Sequence, residues 1–117
     1  MTVQRSERVK EQLKKEIGYI IQNNIKDPRL GMVTVTEAEV SADLRNAKVF
    51  ISVYGSEEEK KQTMKILTKA NGFIRSEIGK RIRMKHVPEL LIKFDETIEK
   101  SNRIQELLHQ IEAEKHE

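Results

Sequence analysis

The stretch KKQTMKILTKANGFIRSEIGKRIRMKH, residues 60–86, decides how the rest of the chain is arranged. It holds nine basic residues (Lys60, Lys61, Lys65, Lys69, Arg75, Lys80, Arg81, Arg83 and Lys85) against one acid, Glu77, while the whole chain carries only +3. Its apolar period is helical: Thr63, Leu67, Ala70, Ile74, Ile78 and Ile82 line one face. Lys65, Lys69, Ser76, Lys80 and Arg83 fall on the other side of a continuous helix. Ala70-Asn71-Gly72 interrupts that helix, since glycine weakens one by roughly 1 kcal/mol relative to alanine. Two consecutive helices meeting at the break are therefore predicted, with positive charge outside. So much like charge repels itself in an isolated fold, and a polyanionic partner is the natural expectation.

Working back from this stretch, Ser56-Glu57-Glu58-Glu59 is a capping-box start, with three carboxylates at the positive end of the helix dipole. Before it, Ala47, Val49, Ile51 and Val53 alternate strictly with Lys48, Phe50, Ser52 and Tyr54, the clearest strand in the chain. Met32 to Val40 is a second β-rich run whose alternation slips between Val35 and Ala38, which predicts a bulge near Glu37. The polar turn Ser41–Asn46 joins the two as a hairpin. An amphipathic helix from Ser6 to Asn24 precedes them, with Val9, Leu13, Ile17, Ile20 and Ile21 on one face. Asp27-Pro28 ends it, because proline disfavours helical geometry in the residue before it.

Working forward, Val87-Pro88 opens a third strand, Leu90–Asp95, with Leu90, Ile92 and Phe94 on one face. The long helical crossover from the second strand permits parallel pairing. A last amphipathic helix, Thr97 to Ile111, carries Ile104, Leu107, Leu108 and Ile111 and is expected to dock on the body, with a frayed end after it. The expected fold is α+β, in the order α-β-β-α-α-β plus a C-terminal helix. It has a three-stranded mixed sheet with its helices on one face, and an opposite face that stays wet or meets a partner. Residues 1–96 form the domain and residues 97–117 a helical extension.

With 117 residues the chain is long enough for one core and too short for two. It has no cysteine, which excludes disulfides, thiolate metal sites and a cysteine nucleophile. No apolar run is long enough to span a bilayer, and Arg5, Glu7 and Arg8 are not followed by a signal-peptide core, so a cytoplasmic location is expected. His86, His109 and His116 do not make a metal set, and no glycine loop or placed serine suggests catalysis. The carboxylates gather at helix starts and in the tail, where capping and solubility account for them. A non-enzyme without cofactor or metal is expected.

The order of elements is similar to that of the type II KH domain, in which a Gly-x-x-Gly loop between paired helices clamps a nucleic-acid backbone. Here Ala70-Asn71-Gly72 occupies that place, and in this the chain resembles the ribosome-binding factor A family. Other stretches agree with that family. They are Arg5 and Arg8, Lys26-Asp27-Pro28-Arg29-Leu30, Asp43-Leu44-Arg45-Asn46-Ala47-Lys48-Val49, Arg81-Ile82-Arg83-Met84-Lys85, Pro88-Glu89-Leu90 and Phe94-Asp95. The resemblance spans about residues 2–110. It implies a monomeric assembly factor that binds the free small ribosomal subunit and assists late maturation of 16S rRNA, including its 5′ end, and growth in the cold. Ribosomal proteins are further partners it allows.

Charge and wheel position nominate Lys65, Lys69, Arg75, Lys80, Arg81, Arg83 and Lys85 as phosphate contacts, extended by Arg45, Lys48, Arg5 and Arg8. Ala70, Asn71 and Gly72 have two compatible readings: a kink that fits two helices to a curved sheet, or small side chains that let backbone amides reach a phosphate. Phe50 and Tyr54 belong on the open side of the sheet, as cross-strand packing more than as stacking platforms. Four rival functions remain. They are a helix-turn-helix binder of duplex DNA, a module that docks on a ribosomal protein, a general KH-like RNA- or DNA-binding module with no tie to the ribosome and, least favoured, an enzyme acting on rRNA.

Overall fold

A computed structural model describes residues 2–96, with side chains from Glu7 onward. The elements are α1 (Thr2–Asn23), β1 (Met32–Val40), β2 (Asn46–Tyr54), α2 (Glu57–Lys69), α3 (Asn71–Arg81) and β3 (Glu89–Phe94). The sheet order is β1-β2-β3, with β1 antiparallel and β3 parallel to the central strand. The mixed sheet expected from the sequence is therefore present, and the register slips between Val35 and Glu37 as expected. Thr36 is the extra residue. Its hydroxyl lies 2.6 Å from an Asp95 carboxylate oxygen and 3.3 Å from the Phe50 carbonyl, tying the bulge to the end of β3. The expected extension at 97–117 lies outside the described residues.

One face of the sheet carries the core. Ala47, Val49, Ile51 and Val53 are buried under Leu13, Ile17, Ile20 and Ile21 of α1, with Leu67 of α2 and Ile74 and Ile78 of α3 completing the cluster. The opposite face holds Met32, Glu37, Glu39, Lys48, Phe50 and Tyr54, with Met32 73% and Tyr54 82% exposed. Tyr54 is thus an open-face residue, whereas Phe50 is half-covered between Glu37 and Lys93 in the register.

The start of α1 differs from the sequence reading, while its end falls within one residue of the expected Asn24. α1 begins at Thr2, four residues ahead of Ser6. It stops at Asn23, several residues before Pro28. The Asn24 and Ile25 amides both turn back to the Ile20 carbonyl, and the Asn23 side-chain amide donates to the Tyr19 carbonyl. Local hydrogen bonding closes the helix before proline could.

Gly31 holds the turn into β1. A side-chain carbon there would stand 3.1 Å from Thr63 Oγ1 and 3.3 Å from Val53 Cγ1, so the backbone passes close to α2 only because glycine allows it. The Gly31 amide donates to Thr63 Oγ1 at 3.0 Å, and Thr63 is fully buried. Thr63→Val keeps the shape and removes the acceptor. We expect a loss of about 0.5–1.5 kcal/mol by denaturant unfolding, the cost of taking its acceptor from a half-buried amide.

Candidate nucleic-acid interface

Ser56 caps α2 as the sequence suggests: its hydroxyl oxygen accepts from the Glu59 amide at 3.2 Å. The Glu59 carboxylate answers through the Ser56 hydroxyl at 3.3 Å. At the far end, α2 and α3 are separated by one residue, Ala70, with φ −85° and ψ 3°. The break is therefore made by Ala70 and not by Gly72, which lies inside the first turn of α3. Its cause is tertiary. The Asn71 side-chain amide donates to the Leu90 carbonyl of β3 at 3.1 Å, anchoring the start of α3 to the sheet one residue before Gly72.

Gly72 faces open space, with nothing within 4 Å of an added side-chain carbon. No neighbouring element therefore requires a glycine at this position. No side chain caps α3 at Ala70 and no acid lies in its first turn, so the positive end of the helix is bare. Gly72→Ala should raise folding stability by about 0.5–1 kcal/mol through helix propensity. If the backbone meets a phosphate here, the same change lowers RNA affinity severalfold. Thermal melts beside RNA titrations check this, and parallel losses in both would leave Gly72 only a structural role. Phe73, next to it, is 44% exposed although aromatic. Charge and kink do not nominate it; its position off the Ala70–Ile74–Ile78 stripe is the sequence signal that marks it.

The basic residues divide into two sets. Lys61, Lys65 and Lys69 on α2, with Arg83 and Lys85 in the segment before β3, are exposed and have no ion-pair partner among the described residues. The second set is engaged. Arg75 donates to the Pro88 carbonyl at 3.0 Å and the Val87 carbonyl at 3.1 Å, and lies 3.4 Å from the Glu89 carboxylate. Arg81 reaches Glu16 at 3.3 Å and stacks 4.3 Å over the Tyr19 ring of α1. Lys80 pairs with Glu77 at 3.2 Å, three residues back on the same helix. Wheel position cannot separate the sets, because it says nothing of what the next element brings within reach.

The outlying candidates spread further. The Arg45 carbonyl accepts the Glu89 amide, so the β1–β2 turn meets β3 one residue from Leu90, the carbonyl that holds Asn71. Arg45 thus lies at the same end of the sheet as the kink. Lys48 sits on the opposite face from the helices, across from Glu39 and Leu91. Arg8 is exposed on the N-terminal half of α1. Nearby, Lys10 is held by Glu37 and Glu7, and the Glu37 carboxyl is lowered chiefly by the Ala38 amide and then by Lys10. The Arg5 side chain lies outside those described. The structure therefore joins Lys65, Lys69, Ala70, Asn71 and Gly72, brings Arg45 near, and leaves Lys48 and Arg8 apart. Among the described residues no cluster of His, Asp or Glu could hold a metal, and no helix is long and apolar enough to cross a membrane.

A helix, a β-hairpin, two helices kinked at one residue and a parallel third strand define a KH-like domain of type II order, with Ala-x-Gly where the clamp loop would be. The chain belongs to the ribosome-binding factor A family, whose sequence model matches residues 5–108. It is 48% identical over 114 residues to ribosome-binding factor A of Brevibacillus brevis, covering 97% of this chain and 94% of that one. Among solved structures it is similar to the crystal structure of Thermus thermophilus ribosome-binding factor A. That match has a TM-score of 0.68 and 26% identity, over 76% of this chain and 93% of that one. It is also similar to a homology model of the Thermus thermophilus factor fitted into the cryo-electron-microscopy map of a 30S complex. There the TM-score is 0.62 and the identity 27%, over 74% of this chain and 90% of that one.

Proposed function

We propose that this chain is an assembly factor that binds the free small ribosomal subunit through 16S rRNA and assists late maturation of that RNA, including its 5′ end. The observation that carries the reading is the pair of bare cations Lys65 and Lys69 beside the uncapped start of α3, with Arg83 and Lys85 also exposed in the segment after that helix. Family membership and the 30S complex of the Thermus thermophilus relative support the same partner. Phosphate contacts hold the protein in place on an rRNA segment, and recognition of one site rests on RNA shape and a few unstacked bases. The protein keeps that segment in a conformation compatible with maturation and then leaves, acting in the cytoplasm as a monomer. Arg75 and Arg81 belong to the scaffold under this surface.

A duplex-DNA reading draws little support from α3. Its exposed residues include Gly72, Phe73, Ser76, Gly79 and Lys80, which lack the Asn, Gln or free Arg that read base edges bidentately. Co-sedimentation with purified free small subunits and with assembled ribosomes, across a salt series, tests the proposal. Salt-sensitive binding to free subunits alone supports it. Binding that survives nuclease and ignores salt points instead to a ribosomal protein.

A further inference from the structure

The turn after α1 carries a motif, Lys26-Asp27-Pro28-Arg29, that the surface of α2 and α3 does not involve. Asp27 organises it: one carboxylate oxygen accepts the Arg29 amide at 2.9 Å and Nε at 3.1 Å, and the other takes Nη2 at 3.0 Å. The Leu30 amide returns to the Asp27 carbonyl at 3.0 Å. The Arg29 side chain and amide hold the Asp27 carboxyl below its ordinary range, so this acid stays ionised and spent on its neighbour. A stiff turn results, with its only acid neutralised.

That turn faces the C-terminal half of α2 across a cleft of about 320 Å³. Ile25, Ile66 and Ala70 supply an apolar floor, and Gln62 an amide that can both donate and accept. Lys26, Lys65 and Lys69 stand at the cleft with no ion-pair partner among the described residues. Lys65 and Lys69 also border the groove on the other side of α2, beside Met64 and Phe94, so the end of α2 is a basic ridge between two grooves. The volume is at the small end of ligand clefts, room for about one nucleotide. An apolar floor under three cations suits a base and its phosphates better than a bare anion, and suits an acidic protein surface less.

We propose that this cleft, between the Asp27-Pro28 turn and α2, seats one nucleotide of single-stranded RNA. Its base lies on Ile25, Ile66 and Ala70, and its phosphates meet Lys26, Lys65 and Lys69. The inference rests on the RNA-binding reading and extends it to the α1 side of α2, where Lys26 joins the contact set.

The test is a titration of the full ¹⁵N-labelled chain with hexauridylate and hexaadenylate at low and raised salt, with inorganic phosphate as a separate arm. Amides of Lys26, Asp27, Arg29 and Gln62 through Lys69 should shift together. Lys26→Gln should weaken binding about threefold or more and reduce the salt slope by about one. Gln62→Glu, which fits the helix and places a carboxylate at the cleft, should weaken it similarly. Lys15→Gln, the same unit of charge removed from α1, should do less. If α2 and α3 shift while residues 26–29 stay still and both cleft variants bind normally, the cleft is excluded and RNA binding stands. Equal shifts with inorganic phosphate at matched concentration would overturn the seating of a base. No response to either RNA would overturn this inference together with the reading it rests on.

Discussion

Glutamine at Lys65, Lys69, Arg83 and Lys85 together lowers affinity for the free small subunit by on the order of 100-fold at low salt. Each of these cations is exposed and without an ion-pair partner among the described residues, so each is available to replace a condensed counterion on RNA. Neutralising all four reduces the magnitude of the slope of log K against log salt by roughly three to four. Folding stability should move by less than about 0.5 kcal/mol, since the four side chains hold nothing else in place. Sedimentation with subunits at several salt concentrations, beside denaturant unfolding, measures both. Undiminished binding by a normally folded variant would move the interface off α2 and the segment before β3.

Arg75→Ala has the opposite signature. Its guanidinium bridges two carbonyls, Val87 and Pro88, at the entrance to β3, and Pro88 is buried. Loss of both charge-assisted bonds should cost about 2–3 kcal/mol. The Glu89 pair adds little to this, because that carboxylate is largely exposed. Arg75→Lys should rescue only part, since an ammonium lacks the fork that spans two carbonyls. Under conditions where the alanine variant remains folded, RNA affinity should stay within about twofold of the parent, unlike that of the four-site variant. A variant of normal stability and poor affinity would return Arg75 to the contact set.

Arg75 and Lys65 show why the fold is more legible than the interface. Both are basic, both lie in the same amphipathic stretch, and charge alone assigns both to phosphate. Lys65 stays bare because α2 turns it to solvent. Arg75 is taken by the chain twelve and thirteen residues on, a neighbour that exists only once β3 is parallel to β2. Lys26 escapes a reading of the sequence for the mirror reason. Its partners across the cleft, Lys65 and Lys69, stand on another element far along the chain, and no periodicity links them to it. Asn71 makes the same point at the kink. The small residues there announce a break, but the bond to Leu90 places it at Ala70.

The alternation of Ala47, Val49, Ile51 and Val53, the slip near Glu37, the helical stripe through Ile78 and the cap at Ser56 are all written in residue order. Each is a local preference or a period, set by backbone geometry over a few neighbouring residues, and the layered α+β fold follows from burying those faces together. The concentration of positive charge is equally plain, as is its suitability for a polyanion. Tertiary structure alone decides which cations remain free, which become staples, and where two distant segments leave a cleft between them. Those outcomes depend on residues far apart in the chain meeting one another, and a hydrogen-bond partner or an opposing charge within about 4 Å is created only by packing.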